Sequence, residues 1–530
     1  MRMKESDLLG GKSALTPALS HGERAGAHKL IRNQFQNPMP TRINSSLTAQ
    51  KLVPKIHRLF ELSAEKILNI ERTWKPEGGT PVFTVKGRYT SRGWTEWTQG
   101  FQYGSALLQF DATGDDRFLK IGRDNTVQKM ATHVSHTGVH DHGFNNVSTY
   151  GNLLRLMREG KIAHNADEKN FYELALKVSG AVQAARWTTL SDRTGFIHSF
   201  NGPHSLFVDT IRSCRSLAIA HQLGHVLMGE QDRAISLLVR LCEHALNTAR
   251  HSVFYEKGYD PYFPNLGADI YDKRGRTAHE IIFNTENGTF RCPSSQQGYS
   301  PFSTWTRGLA WAVCGFAELI EFISSCDAEC LRLHIEKYAW SLGDELGRFT
   351  GTYPDWSYQD PLIKMLMKAA LATADFYLDN SCRDGIPMWD TGAPNLHRLP
   401  KNYLDKDSDP FNAYEPVDSS AAAIAAQGFI RLGNCLIAQG KKKEGARYRQ
   451  AGLSIAATLF DEPYLSTNAK HQGLILHSVY HRPNGWDYIA PGQQVPNGES
   501  SMWGDYHARE LALLLLREAR GESYLTFFDY

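Results

Sequence analysis

Apolar residues recur at three- and four-residue spacing along almost the whole chain beyond residue 50. That period predicts amphipathic helices over 51–71, 99–112, 117–132, 147–159, 168–187, 209–223 and 232–250. It predicts more over 305–324, 329–346, 361–378, 419–438, 443–459 and 503–520. The stretch SSAAAIAAQGFIRLG, from Ser419, is apolar nearly all round, as suits a helix buried on both sides. Alternation with period two is rare. Residues 80–84 and 474–479 are the best short strand candidates. About thirteen helices with no interleaved sheet predict an all-α fold. The helices recur in pairs with no Pro/Gly linker to split them. One closed toroid, inner helices ringed by outer ones, is therefore expected as a single domain over 46–530. Residues 1–45 are rich in Gly, Ser, Pro, Asn and basic residues and have no period. They read as a disordered lead, with Met39 a candidate start. Long loops at 133–146, 188–208, 251–304, 379–418 and 460–502 carry polar and aromatic residues. Loops of that length in a compact domain are usually functional, and in a toroid they would build a cleft at one end.

Charge narrows the partners. The 58 Lys and Arg nearly balance 56 Asp and Glu, leaving a net charge of +2, which argues against a protein held to nucleic acid by bulk charge. The longest apolar run, Leu511 to Leu516, is too short to span a bilayer. The N-terminus has no uninterrupted apolar core of a secretory signal. Eight cysteines include no CxxC pair. Cys214, Cys242, Cys314 and Cys435 sit in apolar helical runs and read as small buried hydrophobes, which favours a reducing, cytoplasmic compartment. With 11 Trp and 22 Tyr the chain is well supplied with flat rings of the kind that stack on sugars.

Four segments concentrate carboxylates, histidines and aromatics. The first, HVSHTGVHDHGFNN, holds His133, His136, His140, Asp141 and His142. The second, GFIHSFNGPHSLFVDTIRS, holds His198, His204, Asp209 and Arg212. The third runs from His279 through Gln297 to Trp305, Arg307 and Trp311. The fourth contains Trp389, Asp390 and Asp418. Asp141 and Asp209 stand at the mouths of predicted helices. Two such carboxylates are what acid/base work on a sugar requires, one to donate a proton and one to stabilise charge or orient water. An Asp in front of a helix also serves as an N-cap, the plainer reading of each. The histidine spacing follows no zinc motif. DKDSD at 405–409 is followed by Pro410 where a calcium loop needs Gly. No P-loop or GxGxxG occurs, so no cofactor is expected.

The ordered set of motifs resembles glycoside hydrolase family 88, the unsaturated glucuronyl hydrolases, over about 95–520. HDHGF resembles the family's His-Asp-x-Gly-Phe segment. HEIIFNTENGTF and then QGYSPFSTWTRGLAW resemble its His … Gln-Gly-Tyr-Ser … Trp-x-Arg-Gly block. DGIPMWDTGAPN, DSSAAAIAAQG, LHSVYHRPNG and SSMWGDYHARELAL follow in the family's order. The resemblance implies an (α/α)6 barrel. It also implies an enzyme that removes a 4,5-unsaturated uronic acid from the non-reducing end of lyase-generated oligosaccharides by hydrating a vinyl ether. By the same resemblance Asp209 is the general acid/base and Asp141 the second carboxylate. His140, His279, Gln297, Arg307, Trp305 and Trp311 then bind substrate, with Arg307 suited to a carboxylate or sulfate and the two Trp rings to stacking. No metal is implied, and the chain would act as a monomer or weak homo-oligomer.

Three departures from the family pattern are expected to line the substrate end of the site. Asp209 is followed by Thr-Ile-Arg-Ser where the pattern is Asn-rich. Phe200 stands where a Trp is expected, and Gln102 follows Gly100-Phe101. The related unsaturated rhamnogalacturonyl hydrolases, a sugar epimerase on the same barrel, and a non-catalytic oligosaccharide-binding toroid are the competing readings. Two carboxylates facing one cleft within about 10 Å are expected. Burial and repulsion from Asp141 are expected to raise Asp209 to roughly 5–6, giving an acid-side optimum.

Overall fold

The computed structural model describes residues 40–93, 96–256, 273–339, 341–354 and 357–528. Most of the lead predicted over 1–45 lies outside these. Residues 40–45 do not behave as a lead. The Thr41 hydroxyl donates to the Leu378 carbonyl at 3.0 Å, and Arg42 pairs with Asp407 at 2.8 Å.

The helices alternate between two rings. In chain order the main ones are α1 (Ala49–Thr73), α2 (Gln99–Thr113), α3 (Asp116–Lys129), α4 (Asn152–Arg158), α5 (Ala166–Ala185), α6 (Arg215–Gln222) and α7 (Leu237–Asn247). There follow α8 (Thr306–Ser325), α9 (Ala328–Tyr338), α10 (Leu342–Thr350), α11 (Gln359–Asp379), α12 (Ser419–Ala438), α13 (Lys442–Leu459) and α14 (Met502–Arg520). Helices α2, α4, α6, α8, α12 and α14 are buried over most of their surface and form the inner ring. The outer ring is α1, α3, α5, α7, α11 and α13, and α14 closes the circle against α1 and α2. This is an (α/α)6 barrel: the pattern predicts the closed helical toroid, and the resemblance implies its six-hairpin form. Two of its inner helices, α8 and α12, are long and apolar enough to cross a membrane, but most of each is buried inside the barrel. They approach closely because a Cβ on Gly428 would lie 2.7 Å from the Cys314 backbone, which only glycine avoids.

Inside the rings the barrel axis is charged. Arg212 reaches Glu318 at 2.9 Å and Glu510 at 2.9 Å, and Arg215 and Arg431 add further contacts to Glu318. These groups come from four inner segments, so the ions tie the ring together across its centre.

Two expectations fail for physical reasons. The helix predicted over 329–346 is two helices. Ala339 takes extended backbone, α9 packs on α7, and α10 packs on α11. The strand predicted over 474–479 has a single bridge, Leu465 to Ile475. Carboxylates replace the partner strand, since Asp505 accepts from the Leu474 and Ile475 amides and Asp418 from the Val479 amide. The other strand candidate forms slightly later, as the hairpin of β1 (Phe83–Val85) and β2 (Arg88–Thr90). All eight cysteines are free. Cys214, Cys242 and Cys314 are buried as expected, while Cys435 is only half-buried.

The long loops carry small sheets. Strands β3 (Trp187–Thr189) and β4 (Gly195–Ile197) pair, as do β6 (Leu227–Met228) and β7 (Ala234–Ile235). Strand β5 (Ser205–Phe207) pairs antiparallel with β8 (Glu280–Phe283), and β8 pairs with β9 (Phe290–Ser294). The β5–β8 register sets Phe207 opposite Glu280. That register brings Asp209, just after β5, beside His279, just before β8. The Val208 amide donates to the His279 carbonyl at 3.0 Å.

Candidate active site

A cleft of about 720 Å³ opens among these loops. Its walls include His140, Asp141, Phe200, Asp209, Gln297, Trp305, Arg307 and Trp311. Thus seven of the eight residues singled out in the sequence line one cavity. The eighth, His279, lies behind the wall, with its ring 4.7 Å from that of Trp305.

Both carboxylates begin short helical turns, Asp141 before His142–Asn145 and Asp209 before Thr210–Ser213. Neither side chain caps its turn by a hydrogen bond, so the N-cap reading does not explain them. Between them stands His140. Its Nε2 lies 3.7 Å from Asp141 Oδ1 and 3.8 Å from Asp209 Oδ1, so the two oxygens are no farther apart than the sum of these distances. That falls within the scale of about 5–10 Å over which paired glycosidase carboxylates cooperate. At these separations imidazole and carboxylates attract as ions rather than share close hydrogen bonds. Both His140 nitrogens, Asp209 Oδ1 and His279 Nε2 are buried without a hydrogen-bond partner. Unsatisfied buried polar atoms are rare in folded chains and cluster where a ligand completes them.

The three groups titrate as one set. Burial alone pushes His140 down, but attraction to Asp141 and Asp209 outweighs it and holds the imidazole above its ordinary value. Burial raises Asp141; the pull of His140 is smaller, and repulsion from Asp209 adds to the rise. Burial also pushes Asp209 up, but His140, and His279 after it, more than reverse this and hold it below its ordinary value. The expectation of a raised Asp209 is therefore corrected. The directions favour the proton on His140 and leave Asp209 ionised in the free site.

The remaining residues are held from behind. The Gln296 and Gln297 amides donate to His279 Nδ1 at 3.0 and 3.3 Å. This fixes the tautomer with the proton on the unpartnered Nε2. Burial lowers His279 to about 4, so it is neutral. Trp305 and Trp311 are only 3% and 2% exposed, so they form wall rather than freely offered stacking faces. Trp311 packs against Phe144 at 4.8 Å and His507 at 4.9 Å.

Arg307 departs from its expected role. Its guanidinium lies over Trp305 and Trp503 at 4.5 and 4.6 Å. It donates to the Val479 carbonyl, to the Tyr480 carbonyl at 2.9 Å and to Gln297 Oε1 at 2.7 Å. Its fork is committed to the protein, and through it the 479–480 loop and Gln297 are set against the cleft. Arg307→Ala is expected to cost about 1–3 kcal/mol of stability by leaving buried carbonyls unpaired. It should weaken sugar binding at the same time. Urea unfolding alongside calorimetric titration checks this; weakened binding with unchanged stability would return Arg307 to direct contact with substrate.

Other wall residues escaped the reading of the sequence. Trp97, Arg92, Tyr480, His481 and Trp486 also line the cleft. Tyr480 and His481 fall in a segment quoted for the family resemblance, but no role was assigned to them. Their signal is Asp487, whose carboxylate accepts from both backbone amides, at 2.5 and 3.1 Å, and folds the loop inward. Two of the three expected departures do not line the site. Gln102 faces a separate groove with Glu71, Trp74 and Tyr103. Thr210, Ile211, Arg212 and Ser213 are fully buried in the barrel. Phe200 does line the cleft, its ring parallel to His140 at 6.0 Å. Of the other histidines of the first segment, His136 joins the cleft wall, while His133 and His142 are structural. His133 donates to Gln99 at 2.8 Å, and His142 contacts Ser179 at 3.1 Å and the His136 carbonyl at 2.9 Å. Trp389 and Asp390 brace neighbouring loops, through Glu415 at 2.9 Å and the Tyr299 amide at 2.8 Å.

No family model matches the chain. Full-length relatives do. An unsaturated glucuronyl hydrolase of Bacillus sp. (strain GL1) is 23% identical over 450 residues, 82% of this chain and 90% of that protein. An unsaturated chondroitin disaccharide hydrolase of Streptococcus pyogenes serotype M1 is 22% identical over 477 residues, 87% of this chain and 92% of that one. Among solved structures, an unsaturated glucuronyl hydrolase specific for heparin superposes with a TM-score of 0.61 at 18% identity, covering 88% of this chain and 98% of the other. The Bacillus sp. GL1 enzyme gives 0.59 at 20% identity, covering 88% and 96%. The barrel with its paired acids and the relatives spanning most of its length converge on one conclusion: the chain is similar in sequence over most of its length, and in fold, to the unsaturated glucuronyl hydrolases.

Proposed function

We propose that this chain hydrates the 4,5 double bond of an unsaturated uronic acid at the non-reducing end of an oligosaccharide and so releases the rest of the sugar. The observation that carries this reading is a buried imidazole with no hydrogen-bond partner, set between two buried carboxylates in an aromatic cleft. A binding protein needs no such set, because burying charges without partners is costly. Related structures include a Streptococcus agalactiae unsaturated glucuronyl hydrolase variant in complex with dGlcA-GalNAc6S, which supports a sugar of this class.

The reaction needs a proton at C4 and a water oxygen at C5. Asp209 is ionised in the free site. Substrate entry excludes water and brings a further negative charge, the uronate; both favour a neutral carboxyl. A proton then passes from the His140 imidazolium to Asp209. Asp209 gives it to C4, and positive charge develops at C5, shared with the ring oxygen. Water adds at C5 and returns its proton to Asp209. The hemiketal opens to a ketone at C5 and leaves a hemiacetal at C1, which collapses to an aldehyde and releases the rest of the sugar with the glycosidic oxygen as its hydroxyl. Asp141 supports the imidazolium.

The pH dependence follows from the signs. His140 is held above its ordinary value of about 6.5, so activity should fall as pH rises through that raised value and His140 loses its proton. The alkaline limb is thereby assigned to His140 rather than to Asp209, the group expected from the sequence. Asp141→Asn removes part of the attraction that raises His140, so the alkaline limb should move to lower pH, with a smaller loss of rate than at Asp209. The test is a pH–rate profile on lyase-generated disaccharides, followed by loss of the near-ultraviolet absorbance of the double bond. Binding without that loss in the native chain would mean a sugar sensor.

A further inference from the structure

We propose that Ser213 and Gln183 form a latch that sets the spacing of Asp141 and Asp209 and holds His140 between them, acting as positioning residues for the hydration proposed above. The argument is one of hydrogen-bond accounting. The His140 side chain has no hydrogen-bond partner at either nitrogen, so its side-chain bonds do not place it. Its carbonyl is held instead. The Ser213 hydroxyl donates to the His140 carbonyl at 2.7 Å, and the Gln183 amide donates to the same oxygen at 2.8 Å. Both lone pairs of that carbonyl, in the peptide joining His140 to Asp141, are thereby used.

Ser213 is filled as completely. Its oxygen accepts from the Gly143 amide at 2.9 Å and from the second hydrogen of the Gln183 amide at 3.0 Å. The Gln183 oxygen accepts from the Ser216 hydroxyl, which fixes the amide's orientation. Ser213 ends the helical turn that Asp209 begins, and Gly143 lies in the turn that follows Asp141. One hydroxyl therefore joins the two acid-bearing turns. The turns also touch as backbones: a Cβ on Gly143 would meet the Ser213 carbonyl at 2.1 Å, so no side chain fits between them. Ser213, Gln183 and Ser216 are fully buried, which keeps water from competing for these bonds. The groups facing His140 are Asp141, Asp209 and Arg186, with the imidazoles of His198, His244 and His279 beyond. None of these fixes its position by a side-chain hydrogen bond.

The test pairs turnover with a readout in the free protein. Ser213→Ala should lower kcat roughly 10–100-fold, the size of effect that follows from an ångström-scale misplacement, with KM nearly unchanged. In the substrate-free protein, the His140 resonance of 15N-histidine-labelled chain, assigned with a His140→Gln variant, should titrate closer to an ordinary histidine in Ser213→Ala than in the native chain. Should Ser213→Ala not fold, Gln183→Met removes both amide bonds while leaving the hydroxyl, and should shift the same two readouts in the same direction. Unchanged kcat and unchanged His140 titration in a folded variant would overturn the latch. A native chain that leaves unsaturated disaccharides intact would instead sink the proposed activity, while the His140 titration still decides the latch.

Discussion

Asp209→Asn should leave the barrel folded and abolish turnover of an unsaturated disaccharide by at least about 1,000-fold, or about 4 kcal/mol of activation barrier. The amide has nearly the shape of the carboxyl but cannot accept a proton from His140 and pass it to carbon. Its carboxylate Oδ1 makes no hydrogen bond in the free site, so little of the fold depends on it. The attraction to His140 is lost with the charge, and the imidazole should then titrate closer to its ordinary value. Two measurements separate chemistry from damage. Urea unfolding should show a midpoint near that of the native chain. Binding of the intact disaccharide should persist, because Phe200, Gln297 and the Trp305–Arg307 wall remain. Residual turnover within tenfold of native would show that Asp141, whose carboxyl burial pushes upward, is the acid.

The twofold rhythm of paired helices was legible because it is a property of spacing. Inner helices such as Ser419–Ala438 must be apolar all round, and outer ones such as Ala49–Thr73 only on one face. Asp141 and Asp209 stood out in the sequence because each sits at the mouth of a predicted helix after a long loop, and the ordered family motifs around them added weight. Helix breaks and loop strands were not. The period of three and four runs straight through Ala339, because the apolar faces of α9 and α10 remain in phase although each packs on a different neighbour. The alternation at 474–479 is genuine, yet its amides end on Asp505 and Asp418, which are distant in sequence. No local pattern announces such partners.

The same limit governs electrostatics. The residue types around Asp209 are apolar enough to suggest a raised carboxyl, and burial does push that way. What reverses the sign is His140, brought within 3.8 Å by the latch between two short turns. Adjacency in sequence placed His140 beside Asp141; only the fold placed it beside Asp209. Arg307 illustrates the converse. Its chemistry suits an anionic ligand, but the 479–480 carbonyls occupy its fork.

Arg212 carries the second large effect, and it is one of stability. It lies three residues after Asp209 in a segment singled out for chemistry, yet its side chain points into the barrel axis and is fully buried. There it binds Glu318 and Glu510 as ions, and Gln427 at 3.2 Å. Removing one member of a buried ion network leaves its partners charged and undercompensated, which typically costs about 3–5 kcal/mol. Arg212→Met should lower the urea midpoint accordingly, although Arg215 and Arg431 still offset part of the charge on Glu318. Arg212→Met combined with Glu318→Gln should be less destabilised than the two single changes added together, since the second change removes a carboxylate the first has stranded. Turnover per folded molecule should fall less than in Asp209→Asn, because Arg212 does not line the cleft. An Arg212→Met chain that keeps its urea midpoint but loses all turnover would place this arginine in the chemistry after all.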